Sequence, residues 1–408
     1  MKRLGILCLP ATWHLNPALA LARRLVARGH EVTFFEPATC QSIVKAAGFL
    51  FSNLCSDENW DAGSDSERGF VNFVHVVRAY SRLALRYGSS ELSRHGIQAL
   101  LVDSAVPAGG TLAEHLGMPF VTLGFTSMFY PDDGVPPPIC SWPPIANSAD
   151  RVRCQKANSL MAELARPALD DVNLARAAWG LAPIEDIRES YSPAAIISQM
   201  PLEFDFEWPG RPPQLTYAGP LQDYGALRPV RFPWERLDGR PLVYASLGTV
   251  RNRNLLAYRI IAEGCAEHNV QLVISLGGGS TMPEDLEPLP GNALAVHYAP
   301  QLELIARSCA VISHAGMNTT MDALSAGKPI VAIPITDDQP GIAARIVRSG
   351  AGLKLSYRAL STKAVSRALG AVLNSSVYRD AAERMARLLG ALSGVDIAVS
   401  AIERTLCL

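Results

Sequence analysis

The chain has 408 residues, of which 49% are hydrophobic and 18% charged, so it can fill large cores and lacks the composition of a disordered protein. Its formal net charge of −1 gives no electrostatic case for binding nucleic acid. No apolar run reaches the roughly 18 residues of a membrane span, and the eight cysteines include no CxxC pair. These features favour a cytoplasmic protein with buried thiols and about two to three domains.

The first part of the chain alternates predicted strands and helices. Apolar runs predict strands at residues 4–9, 31–35, 99–102 and 119–124, and helical spacing predicts helices at 17–28 and 107–116. Asn16 and Pro17 are interpreted as the cap and first residue of the first helix. The opening residues also resemble a signal peptide, but a buried strand explains them better. Continuous apolar strands are typical of parallel sheets with helices on both faces.

Two segments differ from this alternation. Residues 125–150 contain six prolines and several aromatic residues, which predicts an irregular segment rather than a helix or strand. Residues 208–241 are rich in proline and glycine and are interpreted as an interdomain linker.

A second alternating unit follows the linker. Its predicted strands are 242–247, 270–276, 293–298, 310–314 and 329–334, and its predicted helices are 254–267, 301–307, 318–326, 340–349, 362–374 and 377–406. The expected fold class is therefore α/β, with two doubly wound sheets that face each other across a cleft. Ligands of such sheets bind beyond the carboxyl ends of the strands.

Two titratable residues follow predicted strands of the first half. His14 lies near a predicted helix start, whose positive end favours the neutral imidazole that a general base needs. Asp103 ends a predicted strand, and its carboxylate can bond and orient an imidazole. A packing or capping histidine and an N-cap aspartate are the structural alternatives, and the residues alone leave both open.

The stretch 298–340 has the clearest binding pattern. A helix predicted to begin just after His314 and Gly316 presents free N–H groups and a positive dipole end, which suit a diphosphate. A planar residue upstream, a carboxylate one turn into the helix and an Asp-Gln pair after the next strand can bind a base, a ribose and a sugar. An ordinary strand-to-helix turn is the alternative. The chain has no DxD motif, which weakens a metal-chelated diphosphate.

The order of these residues resembles the signature of UDP-sugar glycosyltransferases with the GT-B architecture. That signature runs from aromatic-x-x-Gln through His-x-Gly-x-Asn-Ser/Thr and an acidic residue to Asp-Gln. Within the family, the segments 244–249 and 338–345 are most similar to bacterial carotenoid (zeaxanthin) glucosyltransferases. The resemblance implies two facing Rossmann-like domains, an acceptor-binding domain at 1–225 and a nucleotide-sugar-binding domain at 226–385. A C-terminal helix at 386–408 is expected to pack back toward the first domain.

The resemblance also implies site residues. Those expected to bind the donor UDP-glucose are Thr249, Tyr298, Gln301, His314, Gly316, Asn318, Thr319, Asp322, Asp338 and Gln339. In this set Tyr298 stacks on uracil, the residues from His314 to Thr319 hold the diphosphate, and the Asp338-Gln339 pair bonds sugar hydroxyls. His14 is the expected base, and Asp103 is its carboxylate partner.

The acceptor side is predicted from composition. Aromatic residues cluster in the first half, and those expected to line the acceptor site are Trp13, Phe125, Phe129, Tyr130 and Trp142. Such a rim suits a large apolar alcohol such as a carotenoid, sterol or polyketide. Arg78, Arg82 and Arg86 have helical spacing, which indicates either a solvated helix face or peripheral contact with anionic lipid.

The expected reaction is an inverting transfer of glucose from UDP-glucose to a hydroxyl of a lipophilic acceptor. It is expected to need no metal and no cofactor, since UDP-glucose is a co-substrate. The expected location is the cytoplasm, with peripheral contact at the inner membrane. Two alternatives remain, a UDP-sugar epimerase and a non-catalytic module that binds nucleotides or lipids.

Overall fold

The computed structural model describes residues 1–54, 69–223, 230–248, 254–278 and 281–407. The chain forms two compact units. The first comprises Met1–Pro137, Pro144–Tyr224 and Leu392–Leu408, and the second comprises Pro138–Pro143 and Gly225–Ala391. Each unit contains one parallel sheet flanked by helices, so the predicted α/β fold with two parallel-sheet domains is confirmed.

The first unit is built on a seven-stranded sheet. Its strands are Arg3–Leu7 (β1), Glu31–Glu36 (β2), Leu50–Asn53 (β3), Ala99–Asp103 (β4), Phe120–Gly124 (β5), Ile196–Ser198 (β6) and Leu215–Tyr217 (β7), in the order β3-β2-β1-β4-β5-β6-β7. Its helices up to residue 178 are Thr12–Ala27 (α1), Gln41–Ala46 (α2), Phe70–Arg94 (α3), Pro107–His115 (α4) and Ser148–Ala178 (α5). As predicted, the structure has no helix or strand in the described chain between β5 and α5.

The second unit has a six-stranded parallel sheet. Its strands are Leu242–Ser246 (β8), Gln271–Ser275 (β9), Leu294–Val296 (β10), Ser308–Ser313 (β11), Ile330–Ala332 (β12) and Gly352–Lys354 (β13), in the order β10-β9-β8-β11-β12-β13. Its helices are Leu255–Ala266 (α6), Gln301–Arg307 (α7), Met317–Ser325 (α8), Gln339–Ser349 (α9), Thr362–Asn374 (α10) and Ser376–Gly390 (α11).

The strand β1 shows how the first core is divided. Leu4 and Ile6 belong to the core on the face that carries α1, whereas Leu7 belongs to the core on the face that carries α3 and α4. Successive side chains of a strand point to opposite faces, so an uninterrupted apolar strand fills both layers.

The last helix, Gly394–Leu406 (α12), packs against α1 of the first unit. Arg24 Nε lies 2.5 Å from Asp396 Oδ1, and Arg28 Nη1 lies 2.7 Å from Glu403 Oε2. The sequence predicted one helix over 377–406. The structure instead breaks it at residues 391–393, because α11 and α12 belong to different units.

The start of α1 also corrects the sequence interpretation. The backbone N–H groups of His14 and Leu15 both donate to the carbonyl of Ala11 at 2.9 Å, so the helix begins at Thr12. Asn16 is therefore not the cap, and His14 lies in the first helical turn rather than in the loop before it. Pro17 lies inside the helix, where its missing N–H removes one backbone hydrogen bond.

The predicted linker 208–241 is shorter in the structure. Leu215–Tyr217 pairs in parallel with β6 and forms the seventh strand of the first sheet.

Within the described residues, no single helix is long and apolar enough to cross a bilayer, and only α11 and α12 taken together, with a 41° bend between them, reach that length and composition.

Candidate active site

A short, buried polar contact in the first unit joins His14 to Asp103. The end of β4 places Asp103, the first turn of α1 places His14, and the Nδ1–Oδ2 distance is 2.5 Å. Both side chains are almost fully buried, at 1% and 0% exposure. The carboxylate also accepts the N–H of Leu9 at Oδ2 (3.2 Å) and that of Ala105 at Oδ1 (3.0 Å).

This short contact favours one tautomer of His14. A carboxylate held by two N–H groups accepts hydrogen bonds best when it is ionised, so the proton of the neutral imidazole belongs on Nδ1. Nε2 then carries the lone pair that takes up a proton. The geometry is that of a general base with an orienting carboxylate, although the catalytic role itself stays a prediction.

A second buried carboxyl group lies close to this pair and was missed in the sequence. Glu36, at the end of β2, is fully buried, and its Oε1 accepts the N–H of Cys8 at 3.0 Å and the thiol of Cys8 at 3.3 Å. Burial raises the pKa of Glu36 well above its usual range, and the charge of Asp103 raises it further. Glu36 thus favours its uncharged form. The only signal in the sequence is a carboxylate at the end of an apolar strand.

The aromatic residues predicted for the acceptor do not form one cluster. Trp13 is 39% exposed and its ring centroid lies 6.0 Å from that of His14. Phe125 is fully buried in the core, with its ring edge-on to His14 at 6.3 Å. It therefore presents no surface to an acceptor in this structure, because an apolar ring at the end of β5 packs into the core. Trp142 belongs to the second unit.

The remaining two aromatic residues lie in separate groups within the first unit. Phe129 packs against Phe70 at 5.2 Å and Phe73 at 5.0 Å between ring centroids. Tyr130 instead stacks on Tyr191, with 5.8 Å between the ring centroids. Of the predicted acceptor residues, all except Phe125 retain accessible surface: Trp13 is partly exposed, and Phe129, Tyr130 and Trp142 are half-buried.

The basic residues of α3 are paired rather than free. Arg78 Nε and Arg82 Nε lie 2.5 and 2.8 Å from the same oxygen of Asp171 on α5. The guanidinium of Arg86 lies over the ring of Tyr87, 5.1 Å from its centroid. Asp171 therefore offsets part of the positive charge of the predicted basic stripe.

In the second unit, a hydrogen-bonded chain holds two of the predicted donor residues. Tyr244 donates its hydroxyl to Gln301 Oε1 at 3.1 Å, and Gln301 Nε2 donates to Asp322 Oδ2 at 2.6 Å. No separate role was predicted for Tyr244 from the sequence, because its partner Gln301 lies in a distant segment. The ring of Tyr298 is 49% exposed, which leaves a face open for stacking.

His314 is wedged into the loop between β11 and α8. Its Nδ1 lies 3.4 Å from the carbonyl of Ser246, which can only accept a hydrogen bond. A Cβ atom on Gly316 would lie 2.5 Å from His314 Nε2, and one on Gly248 would lie 2.8 Å away, so the ring requires both glycines. Burial lowers the pKa of His314 to about 4, and the bond to Ser246 opposes that shift only in part.

The start of α8 has the features of an anion site. Gly316 is its N-cap and provides no side-chain hydrogen bond, and Ala315 before it has a φ of 65°. Thr319 is buried and Asn318 half-buried within the first turn. An uncapped turn and its dipole suit an anion, and the diphosphate role of this turn stays a prediction. Thr249 lies outside the described residues.

The start of α9 positions the last predicted pair. Gln339 Oε1 accepts the N–H groups of Ile335 at 2.9 Å and Thr336 at 3.0 Å, which leaves its amide N–H groups to donate. Asp338 is the N-cap residue and is 8% exposed. The preceding residue, Asp337, has a φ of 56°, a conformation rare outside glycine. The helices α7, α8 and α9 each begin after a strand of one parallel sheet, at the edge where such sheets bind ligands.

Comparison with known proteins agrees with this geometry. Residues 233–403 match the family model described as UDP-glucoronosyl and UDP-glucosyl transferase. The chain is 26% identical to the zeaxanthin glucosyltransferase of Pantoea ananas over 100% of this chain and 96% of the relative. It is also 26% identical to the 4'-demethylrebeccamycin synthase of Lentzea aerocolonigenes over 97% of each chain.

Solved structures show the same fold. The glycotransferase of kitacinnamycin superposes with a TM-score of 0.78 at 20% identity, covering 99% of both chains. The calicheamicin glycosyltransferase CalG4 has a TM-score of 0.76 at 21% identity, covering 100% of this chain and 98% of the other. The chain therefore has two parallel-sheet units of the GT-B type and is a glycosyltransferase, and its second half is similar to the UDP-glucoronosyl and UDP-glucosyl transferase family.

Proposed function

We propose that this glycosyltransferase moves glucose from UDP-glucose to a hydroxyl group of a large apolar acceptor, with inversion at the anomeric carbon and without a metal ion. The observation that carries the proposal is the buried His14–Asp103 pair, with 2.5 Å between Nδ1 and Oδ2. A base next to an orienting carboxylate is what a hydroxyl nucleophile needs, because an alcohol is not ionised at neutral pH.

The reaction follows from that pair. His14 Nε2 takes the proton of the acceptor hydroxyl while its oxygen attacks the anomeric carbon. The bond between that carbon and the diphosphate oxygen breaks, and UDP leaves with the electron pair on the opposite side. Asp103 stabilises the imidazolium that forms. Base catalysis of this kind contributes about 10²–10⁴ in rate.

The leaving group gains a negative charge that the protein must stabilise. The uncapped start of α8 offers backbone N–H groups and a positive dipole end for this charge. His314 beside it adds an imidazole on the same loop. These groups support transfer without a metal ion, because preorganised donors can take over a cation's role in meeting developing charge.

The acceptor proposed is a carotenoid with a ring hydroxyl, or failing that a polyketide or sterol. The named activity of the Pantoea ananas relative supports the first, and the accessible rings of Trp13 and Phe129 offer apolar contact. An enzyme that acts on such a lipid would work in the cytoplasm, with peripheral contact at the inner membrane.

One experiment tests the proposal and its alternatives. Purified protein would be incubated with UDP-glucose, with and without excess EDTA, and with a panel of apolar alcohols that includes zeaxanthin. UDP release that depends on the acceptor and persists in EDTA supports the proposal. Interconversion of UDP-sugars without an acceptor would instead indicate an epimerase. Ligand binding without any turnover would indicate a non-catalytic module.

A further inference from the structure

A short piece of the first half of the chain is part of the second unit. The chain leaves the first unit after Pro137, contributes Pro138–Pro143 to the second, and returns at Pro144. Pro138 is buried. Two hydrogen bonds, at Pro138 and at Ser141, join it to this unit.

The first hydrogen bond joins the segment to α9. The backbone N–H of Gly341 donates to the carbonyl of Pro138 at 2.8 Å. Gly341 is the third residue of α9, so its N–H has no acceptor within the helix and needs an outside partner. A Cβ atom at this position would lie 2.5 Å from the Pro138 carbonyl oxygen and 2.9 Å from its Cα. The contact therefore depends on a glycine at 341.

The second hydrogen bond joins the segment to the end of β13. Lys354 Nζ donates to the carbonyl of Ser141. The side chain of Lys354 is exposed overall, but loss of part of its hydration lowers its pKa below the usual range. The segment is thus held by two neighbouring elements, α9 and β13, that pack closely on each other.

The helix that the segment holds also carries the predicted sugar-binding pair. Gln339 is the first residue of α9 and Asp338 its N-cap, so both lie within one turn of Gly341. We propose that Pro138–Pro143 is a positioning element for the sugar end of the donor site: it fixes the start of α9 and with it the hydrogen-bonding groups of Asp338 and Gln339. This inference rests on the proposed use of a nucleotide sugar.

The proposal makes a distinction between the two ends of the donor. The residues predicted to hold base, ribose and diphosphate lie on α7, α8 and the segments before them, none of which contacts Pro138 through a described hydrogen bond. A shift of α9 should therefore weaken binding of the sugar and leave binding of UDP unchanged. Hydrogen-bonding groups displaced from a sugar hydroxyl are costly because both partners lose their bond.

The test is Gly341→Ala, with Gly390→Ala as the matched control, because a Cβ at Gly390 meets nothing within 4 Å. Dissociation constants for UDP and for UDP-glucose would be measured by calorimetry. Gly341→Ala should raise the constant for UDP-glucose about five- to tenfold and leave that for UDP within about twofold. Gly390→Ala should change neither.

A second variant covers the case in which Gly341→Ala does not fold. Lys354→Met removes the other hydrogen bond at an exposed position, and Lys363→Met on α10 is its control. Lys354→Met should weaken the binding of UDP-glucose and not that of UDP, by a smaller factor than Gly341→Ala does. If affinity for UDP and affinity for UDP-glucose fall equally, or if neither falls, the positioning role is overturned. A wild-type chain that binds UDP but no UDP-sugar overturns the proposed function and this inference with it.

Discussion

At the scale of single residues, His14 is the side chain on which the proposed chemistry depends most. Asp103 contacts the Nδ1 side of its ring, and the backbone N–H groups of Leu9 and Ala105 in turn hold the carboxylate of Asp103. A base held in this way loses little freedom in the transition state, so its contribution should appear in turnover rather than in binding.

We expect His14→Ala to lower kcat at least ~10²-fold while the dissociation constant for UDP stays unchanged. His75→Ala is the control, since His75 is an exposed histidine on α3. Steady-state kinetics with a hydroxylated acceptor and calorimetry with UDP would measure the two quantities. Near-normal turnover of the His14 variant would remove its role as the base.

His314 leads to a prediction about pH. The carbonyl of Ser246 holds the proton of the neutral ring on Nδ1, so Nε2 can donate to a phosphate oxygen only after the ring takes up a second proton. In the free protein burial keeps the pKa of His314 at about 4, which means that the ring is neutral at pH 7. Donor binding should therefore raise this pKa and take up protons.

Proton uptake on binding sets the direction of the pH dependence of donor affinity. Affinity for UDP-glucose should fall as pH rises above about 4, by up to tenfold per pH unit, until the pKa of the complex is passed. UDP-glucose is the better probe than UDP, because its phosphates do not titrate in this range. Calorimetry in buffers of different ionisation enthalpy would detect the uptake. His314→Gln, whose amide donates without protonation, should bind with no pH dependence; a wild-type chain that takes up no proton would contradict the role of Nε2.

At the scale of elements, α12 shows how the end of the chain supports its beginning. Val399 and Ile402 are fully buried in the core that includes Leu15 of α1. The ion pairs around Asp396 and Glu403 are partly exposed, and pairs of that kind contribute little. Apolar burial should therefore dominate the energy that holds α12 in place.

This gives a stability prediction for a pair of variants. Ile402→Ala should lower the free energy of unfolding by about 2–5 kcal/mol, because it leaves a cavity in a closed core. Asp396→Asn should lower it by less than about 1 kcal/mol. Denaturant titration followed by circular dichroism would compare them. A larger loss for Asp396→Asn would mean that the ion pairs, not the core, hold the helix.

Elements that carry their own signal were predictable from the sequence. The strands β4 and β8 are continuous apolar runs, and α7 and α10 match their predicted bounds because both have clear helical spacing. The three-residue strands β6 and β7 were missed, since so short a run is recognisable only when a neighbouring strand pairs with it. The break before α12 was missed for a related reason: packing in two units, not local propensity, decides it.

The site shows the same division. His14 and Asp103 were paired before the structure because a family resemblance joins residues far apart in sequence. Glu36 had no such guide, since its partner Cys8 follows another strand, β1. Phe125 was placed in the acceptor site by composition alone, and composition does not distinguish an aromatic rim from an aromatic core.

At the scale of the whole molecule, the remaining question is how a lipophilic acceptor is reached. The basic stripe of α3 is a weak candidate for docking on anionic lipid, because Asp171 offsets Arg78 and Arg82. A basic residue near an anionic surface contributes about 1 kcal/mol, so an offset stripe gives little attraction. Any gain from a membrane should then come from the solubility of the acceptor, not from charge.

The last prediction follows from that argument. Glucosyl transfer to zeaxanthin in vesicles should exceed transfer to small phenols, and it should change little between neutral and anionic vesicles. Asp171→Asn should unmask both arginines and make vesicle binding stronger and salt-sensitive, whereas Asp170→Asn, at an exposed neighbouring position, should not. Vesicle sedimentation and product assays at two salt concentrations measure these effects. Strong, salt-sensitive binding of the unmodified chain would show that Asp171 does not mask the stripe, and fast transfer to a phenol with none to zeaxanthin would remove the carotenoid as acceptor.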